Sequence, residues 1–155
     1  MITEVIQELE RRGLEYQLLP HDRTQTARAE AKAVGIPASD VAKTVVLTTE
    51  NGYVRAVVPA SDRLDLAKTR ELLDDRLSRL ATEEELGAAY PTFELGAVPP
   101  FGGPSGDRVI VDRALAELDE VVLEAGSHDQ SVKLRTLDLV TLAAAEVADI
   151  SAGSS

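Results

Sequence analysis

Apolar positions along this chain follow two periods, and the switches between them predict interleaved helices and strands. Ile2, Val5, Ile6 and Leu9 recur at helical spacing, and Gly13 stands where a left-handed cap would close the turn, which predicts an amphipathic helix at the start. Tyr16 to Leu19 read as a short strand ended by Pro20. Thr26 to Val34 return to a helical pattern closed by Gly35, and Ile36-Pro37 forces extended backbone. Two β-branched runs follow, Thr44 to Thr49 and Tyr53 to Val58, joined through Asn51-Gly52 in a way that suits a type I′ hairpin.

Beyond Pro59, the pair Ser61-Asp62 can cap a helix around Leu64 to Leu73, and Thr82 with Glu85 spells a capping box for a short helix ending near Ala89 and stopped by Pro91. Gly96 to Gly106 hold four Gly and three Pro, too many for regular structure, so this stretch is a loop. Val109 to Val111, Val121 to Leu123 and Val132 to Leu134 read as strands, with a turn at Gly126, and Leu137, Val140, Ala144 and Val147 give a last helix. The pattern predicts an α+β fold, a mixed, mostly antiparallel, twisted and barrel-like sheet flanked by helices. Residues 1–150 form one domain and 151–155 a frayed tail.

Composition narrows the chemistry. The 155 residues include no cysteine and two histidines, so disulfides, thiol catalysis and a Cys/His zinc site are excluded and any metal would have to rely on carboxylates; no cofactor is expected. No window reaches the roughly 18 apolar residues of a membrane span, and Met1 to Glu4 lack the basic start of a secretory signal, so the chain is expected in the cytoplasm. The net charge of −11 argues against a nonspecific DNA binder. That charge is uneven: −3 over residues 1–10, +3 over 11–70 and −11 over 71–155, which leaves room for a local anion site in the basic middle.

Several familiar chemistries are missing. Ser127-His128-Asp129 are adjacent and cannot form a relay, and neither a phosphate-binding P-loop nor a dinucleotide fingerprint occurs. The five aromatics are scattered, which gives no stacking platform for single-stranded nucleic acid.

Two features exceed what a plain domain needs. Lys43 sets an ammonium between Val41-Ala42 and the strand that begins at Thr44, where burial penalises its charge unless an anion or dipole meets it. The bland alternative is a stem along the sheet edge with its head in water. The run Gly96 to Gly103 combines glycines that permit close approach with prolines that fix the path, and such a loop can aim free amides at a developing oxyanion. A tight turn around a core proline is its bland alternative.

Together these residues resemble the YbaK/prolyl-tRNA-synthetase-associated editing domain family, deacylases that hydrolyse mischarged aminoacyl-tRNA. The resemblance covers nearly the whole chain: Tyr16 to His21, Val41 to Leu47, the Gly-x-x-x-Pro element Gly96 to Pro100, Val109 to Asp112, Gly126 to His128, and the helix start Thr136 to Leu139. It implies a hydrolase acting on the ester of a mischarged tRNA that carries a small amino acid. In the catalytic roles it casts Lys43, as an electrostatic clamp on the terminal phosphate or ester, together with Gly96 and Pro100, which bound the carbonyl-holding loop. Substrate contact falls to Ala97, Val98, Pro99, Phe101, Gly102, Gly126, Ser127 and His128, although a satisfied, partly buried histidine fits His128 equally well. Thr44 departs from the Asn that the family's alanine-specific group tends to carry after its lysine.

The implied partners are the acceptor end of a mischarged tRNA and an aminoacyl-tRNA synthetase, with neither membrane nor DNA. The basic segment with Lys43, Arg55, Arg63, Lys68 and Arg70 is where the acceptor end is expected. A noncatalytic binding module of the same fold is the rival reading.

Overall fold

The computed structural model describes residues 4–102 and 107–154. Its elements run α1 (Glu4–Arg11), β1 (Tyr16–Pro20), α2 (Ala27–Val34), a 3-10 turn (Ala38–Asp40), β2 (Ala42–Thr49), β3 (Gly52–Pro59) and β4 (Asp62–Leu64). They continue with α3 (Leu66–Leu73), β5 (Arg79–Leu80), α4 (Glu83–Ala89), β6 (Arg108–Asp112), α5 (Arg113–Ala116) and β7 (Glu120–Ser127). The last are β8 (Gln130–Arg135), α6 (Thr136–Leu142), β9 (Glu146–Ala148) and β10 (Ser151–Ser154).

The α+β class and the mixed, mostly antiparallel pairing agree with the sequence pattern. A five-stranded sheet, β5-β2-β3-β6-β9, is antiparallel around β2 and parallel where β6 joins β3 and β9. A three-stranded sheet, β1-β8-β7, and a β10-β4 pair are antiparallel. Barrel closure does not occur: the two larger sheets touch at a parallel bridge, Val41 to Val122, after which β2 and β7 run on in different sheets. That divergence opens a hollow between them.

Packing explains the elements that form as predicted. Val5, Ile6 and Leu9 bury one face of α1 in the main core with Leu123, Val132 and Leu139. Thr26 caps α2, Gly35 ends it in the left-handed conformation, and the Thr82/Glu85 capping box closes reciprocally. Strand β3 is buried from Val54 to Pro59 because it has neighbours on both edges.

Other boundaries shift for local reasons. The hairpin turns on Glu50-Asn51, as the pairing of Thr49 with Gly52 requires, and positive φ falls on Gly52 alone (110°), so the turn is not type I′. The Thr49 hydroxyl steadies it by accepting from the Asn51 amide and donating to the Gly52 carbonyl. Ser61-Asp62 does not cap a helix: Asp62–Leu64 pair as β4, and Asp65 caps α3 instead.

Gly126, at φ 97°, is an irregularity inside β7, and the chain turns after Ser127. The last helix ends at Leu142, and Ala144 takes φ 48° so that β9 can pair with β6. Residues 151–154, expected as a frayed tail, pair with β4, and Ile150 is buried beside them.

Candidate active site

Where β2 and β7 part, a cavity of about 620 Å³ is lined by Lys43 to Val46, by Ser61 to Arg63, by the start of α2, by Gly96 to Pro100, and by Leu123 and Glu124. Lys43 and the Gly-x-x-x-Pro loop therefore share one hollow. The bridge between Val41 and Val122 accounts for one pair of walls: Lys43 and Glu124 each lie two residues further on, and a strand repeats its facing every second residue.

The Lys43 ammonium is half-buried and donates to the Asp62 carbonyl at 2.8 Å. Burial lowers its pKa, nearby Arg28 lowers it further, and Asp62 acts in the opposite direction. Among the described residues the ammonium has that one acceptor, which leaves protons for an occupant of the cavity.

The loop is held from behind. Gly96 adopts φ 83°, where a side chain would be strained, and a Cβ there would lie in ordinary contact with the His128 ring at 3.5 Å. His128 Nε2 is 2.7 Å from the Leu95 carbonyl, which only accepts, so Nε2 carries the hydrogen. Arg55, 2% exposed, donates to the carbonyls of Pro99 (2.9 Å) and Gly102 (2.8 Å) and pairs with Asp107. The Ala97 amide bonds to the Glu94 carbonyl, whereas the amides of Gly96 and Val98 have no protein acceptor among the described residues.

The remaining residues named from the sequence lie elsewhere. Phe101 is in the main core, and the Gly102 carbonyl is taken by Arg55. Gly126 packs against Phe93, whose ring would be 2.8 Å from an added Cβ, and Ser127 donates to Asp129. His128 is 4% exposed behind the loop. None of these five is among the cavity's lining residues. Within the basic segment, Arg55 is buried, Lys68 is engaged with Asp149 and the Ser151 carbonyl, and Arg70 binds the Ser78 carbonyl. The cations that reach the cavity are Lys43, Arg63 and Arg28.

Residues 21–142 match the aminoacyl-tRNA editing domain family. The chain belongs to that family. The hydrolase class expected from the sequence is the family's own. Over 144 residues, 90% of this chain and 86% of the relative, it is 26% identical to the Escherichia coli (strain K12) protein named multifunctional Ser/Thr-tRNA deacylase ProXp-y. It is 28% identical to the proline–tRNA ligase of Fervidobacterium nodosum over 122 residues, 77% of this chain but a fifth (20%) of that ligase. A solved structure described as a candidate trans-editing enzyme for prolyl-tRNA synthetase superposes with TM-score 0.83 at 32% identity, covering 96% of each chain.

In this editing domain, two acids that sequence reading passed over stand behind or on the cavity wall. Glu30 is fully buried on the apolar stripe of α2 with Ala27, Ala31 and Val34, a position where an acid is itself a signal. Its carboxyl meets the Ser131 hydroxyl, which lies 2.9 Å from His21 Nε2. Desolvation pushes Glu30 up to about 8, against the Ser131 hydrogen bond and with help from Glu124. Glu124 is likewise pushed to about 8, first by burial and then by Glu94, with Arg23 opposing.

For Glu30 the fold favours the protonated form, while the unfolded chain titrates near 4.5. Native protein thus binds the extra proton between about pH 4.5 and 8, and stability contributed by Glu30 is lost as pH rises through that window. Glu30→Gln should raise stability at pH 8.5 by on the order of a few kcal/mol and leave it nearly unchanged at pH 4. Urea midpoints across that range test this; a variant with the parent's slope would show that Glu30 is not the titrating group.

Proposed function

We propose that this chain hydrolyses, in trans, the ester joining a small amino acid to the acceptor end of a mischarged tRNA. The observation carrying this reading is the convergence of Lys43 and a loop with two uncommitted amides on one hollow. An aminoacyl ester is already activated, so the site needs to position a nucleophile and stabilise the tetrahedral oxyanion. Water attacks the carbonyl carbon and gives up a proton; attack by the tRNA's own terminal hydroxyl would only move the ester to the neighbouring ribose oxygen, from which water must still release the acid. The amides of Gly96 and Val98 take the oxygen on which negative charge grows, and Lys43 clamps the terminal phosphate or ester. Collapse expels the ribose oxygen, which takes up a proton, and frees the amino acid.

Ala97, Val98, Pro99 and Pro100 line the hollow with small or rigid groups, which supports selection of small side chains. Each methylene is worth only about 1–3 kcal/mol there, so several small amino acids should be accepted with graded rates. The setting is the cytoplasm, and the relatives' names support a prolyl-tRNA synthetase as the partner whose errors are cleared.

A panel of tRNAs charged with serine, threonine, alanine, glycine and cysteine tests the reading. The protein should release amino acid from at least one non-cognate pair well above spontaneous hydrolysis. Tight binding of charged tRNA with no release would support the noncatalytic rival instead.

The acceptor end of an acidic protein's substrate must find its cations locally. Arg28 and Arg63 are the arginines of the lining. Reversing both to Glu should raise KM roughly tenfold at low salt with kcat little changed, and added salt should shrink the difference. An unchanged KM would remove them from the tRNA path.

A further inference from the structure

Glu124 is only partly accounted for by the fold. It lines the cavity, its side chain is 12% exposed, and its carboxyl accepts no hydrogen bond among the described residues. Oε2 is fully buried, and the neighbour the fold offers it among the described residues is His128 Nδ1 at 3.1 Å, with no hydrogen bond counted for either atom. Glu94 and Arg23, already paired with each other, act on it from the loop side, and Ser131 opposite it on β8 is committed to Glu30. Burying a carboxyl without a donor is costly, and natural folds retain such groups where a ligand supplies the partner.

The only acids of the cavity wall, among the described residues, are Asp62 and Glu124. Asp62 stands beside the Lys43 ammonium and contacts Ser61, so a cationic ligand group is repelled there. An aminoacyl ester presents three distinct features: an α-ammonium, the ester carbonyl, and the terminal phosphate. The cavity presents three complements: a carboxyl on β7, loop amides, and cations around β2 and β4. Resting on the deacylase reading, we propose that Glu124 receives the substrate's α-ammonium and that the site therefore selects aminoacyl esters with a free amine over N-acylated ones. Glu124 takes part here by binding; no bond to it forms or breaks. Its raised pKa means that the empty site holds the proton near neutrality, and the arriving ammonium displaces it.

The test compares the most rapidly cleaved aminoacyl-tRNA of the panel with its N-acetylated form, for the parent protein and for Glu124→Gln. Gln is isosteric with the protonated acid that the empty fold already holds, so the variant should fold, which thermal melting checks. The parent should favour the free amine at least about 100-fold, because an acylated nitrogen leaves the carboxyl unpaired. In Glu124→Gln, kcat/KM for the free amine should fall roughly 10- to 100-fold and the preference should collapse towards unity. Equal cleavage of both esters by the parent overturns the proposal while leaving the deacylase reading intact, and so does an unchanged preference in the variant. Cleavage of no ester in the panel overturns the deacylase reading itself, and this proposal with it. The parent's comparison stands even if the variant does not fold.

Discussion

Lys43→Ala should lower kcat for ester hydrolysis by about 10²- to 10³-fold, the range seen when one preorganised electrostatic contact to a developing charge is removed. The fold should survive. The ammonium is half-buried at an unfavourable cost, as its lowered pKa records, and it makes a single hydrogen bond to the Asp62 carbonyl. Taking it away relieves desolvation and leaves one accessible carbonyl, so the melting temperature should move by only a few degrees. Lys43→Arg should not fully restore the rate, because a planar guanidinium directs its donors differently from the compact ammonium that bonds the Asp62 carbonyl.

The pH profile separates a clamp from a spectator. With the Lys43 pKa below its ordinary 10.5, hydrolysis should decline on the alkaline side earlier than a normal lysine would dictate, and the alanine variant should lack that limb. Turnover by Lys43→Ala at the parent rate, with the same profile, would end the clamp assignment.

Local chemistry was legible in the sequence where one short segment decides its own conformation. The Thr82/Glu85 capping box, the Gly35 cap and the β2–β3 pairing each rest on neighbours within a few residues. Positions settled by distant partners were misread. Ala144 would continue a helix on its own pattern, but the open edge of β6 draws Glu146–Ala148 into the sheet. Ser151–Ser154 carry no strand signal and pair because β4 offers an edge.

The same division runs through the site. Lys43 and Gly96 were found because an ammonium at a strand mouth and a Gly/Pro-dense loop are odd in themselves. Glu124 and Glu30 were missed because their meaning comes from what surrounds them, a cavity wall and a helix stripe turned inward. Arg55 was counted as surface charge for the same reason. Its neighbours in sequence are apolar, and its partners at Pro99, Gly102 and Asp107 come from another part of the chain.

That arginine leads to the other large expected effect. Arg55→Met should cost about 3–5 kcal/mol of stability, because removing one partner of a buried pair strands the other. The guanidinium lies on the central strand, 4.9 Å from the centre of the Tyr90 ring, and pairs with Asp107 at 3.1 Å. Tyr90 donates to the same carboxylate at 2.5 Å, and burial followed by that acid raises its pKa. Without Arg55, Asp107 keeps only the tyrosine, and the carbonyls of Pro99 and Gly102 lose their buried donors.

Those two carbonyls flank the end of the cavity loop, so the damage should reach catalysis as well as stability. Arg55→Lys retains the charge but lacks the fork that serves Asp107 and both carbonyls together, and should fall between the parent and the methionine variant in urea midpoint. At a temperature where Arg55→Lys remains folded, its kcat should still drop by about 10-fold or more, since the amides of Gly96 and Val98 would no longer be held for the oxyanion. A methionine variant that keeps both its midpoint and its turnover would mean the loop holds its shape unaided, and the route from central strand to reacting ester would have to be abandoned.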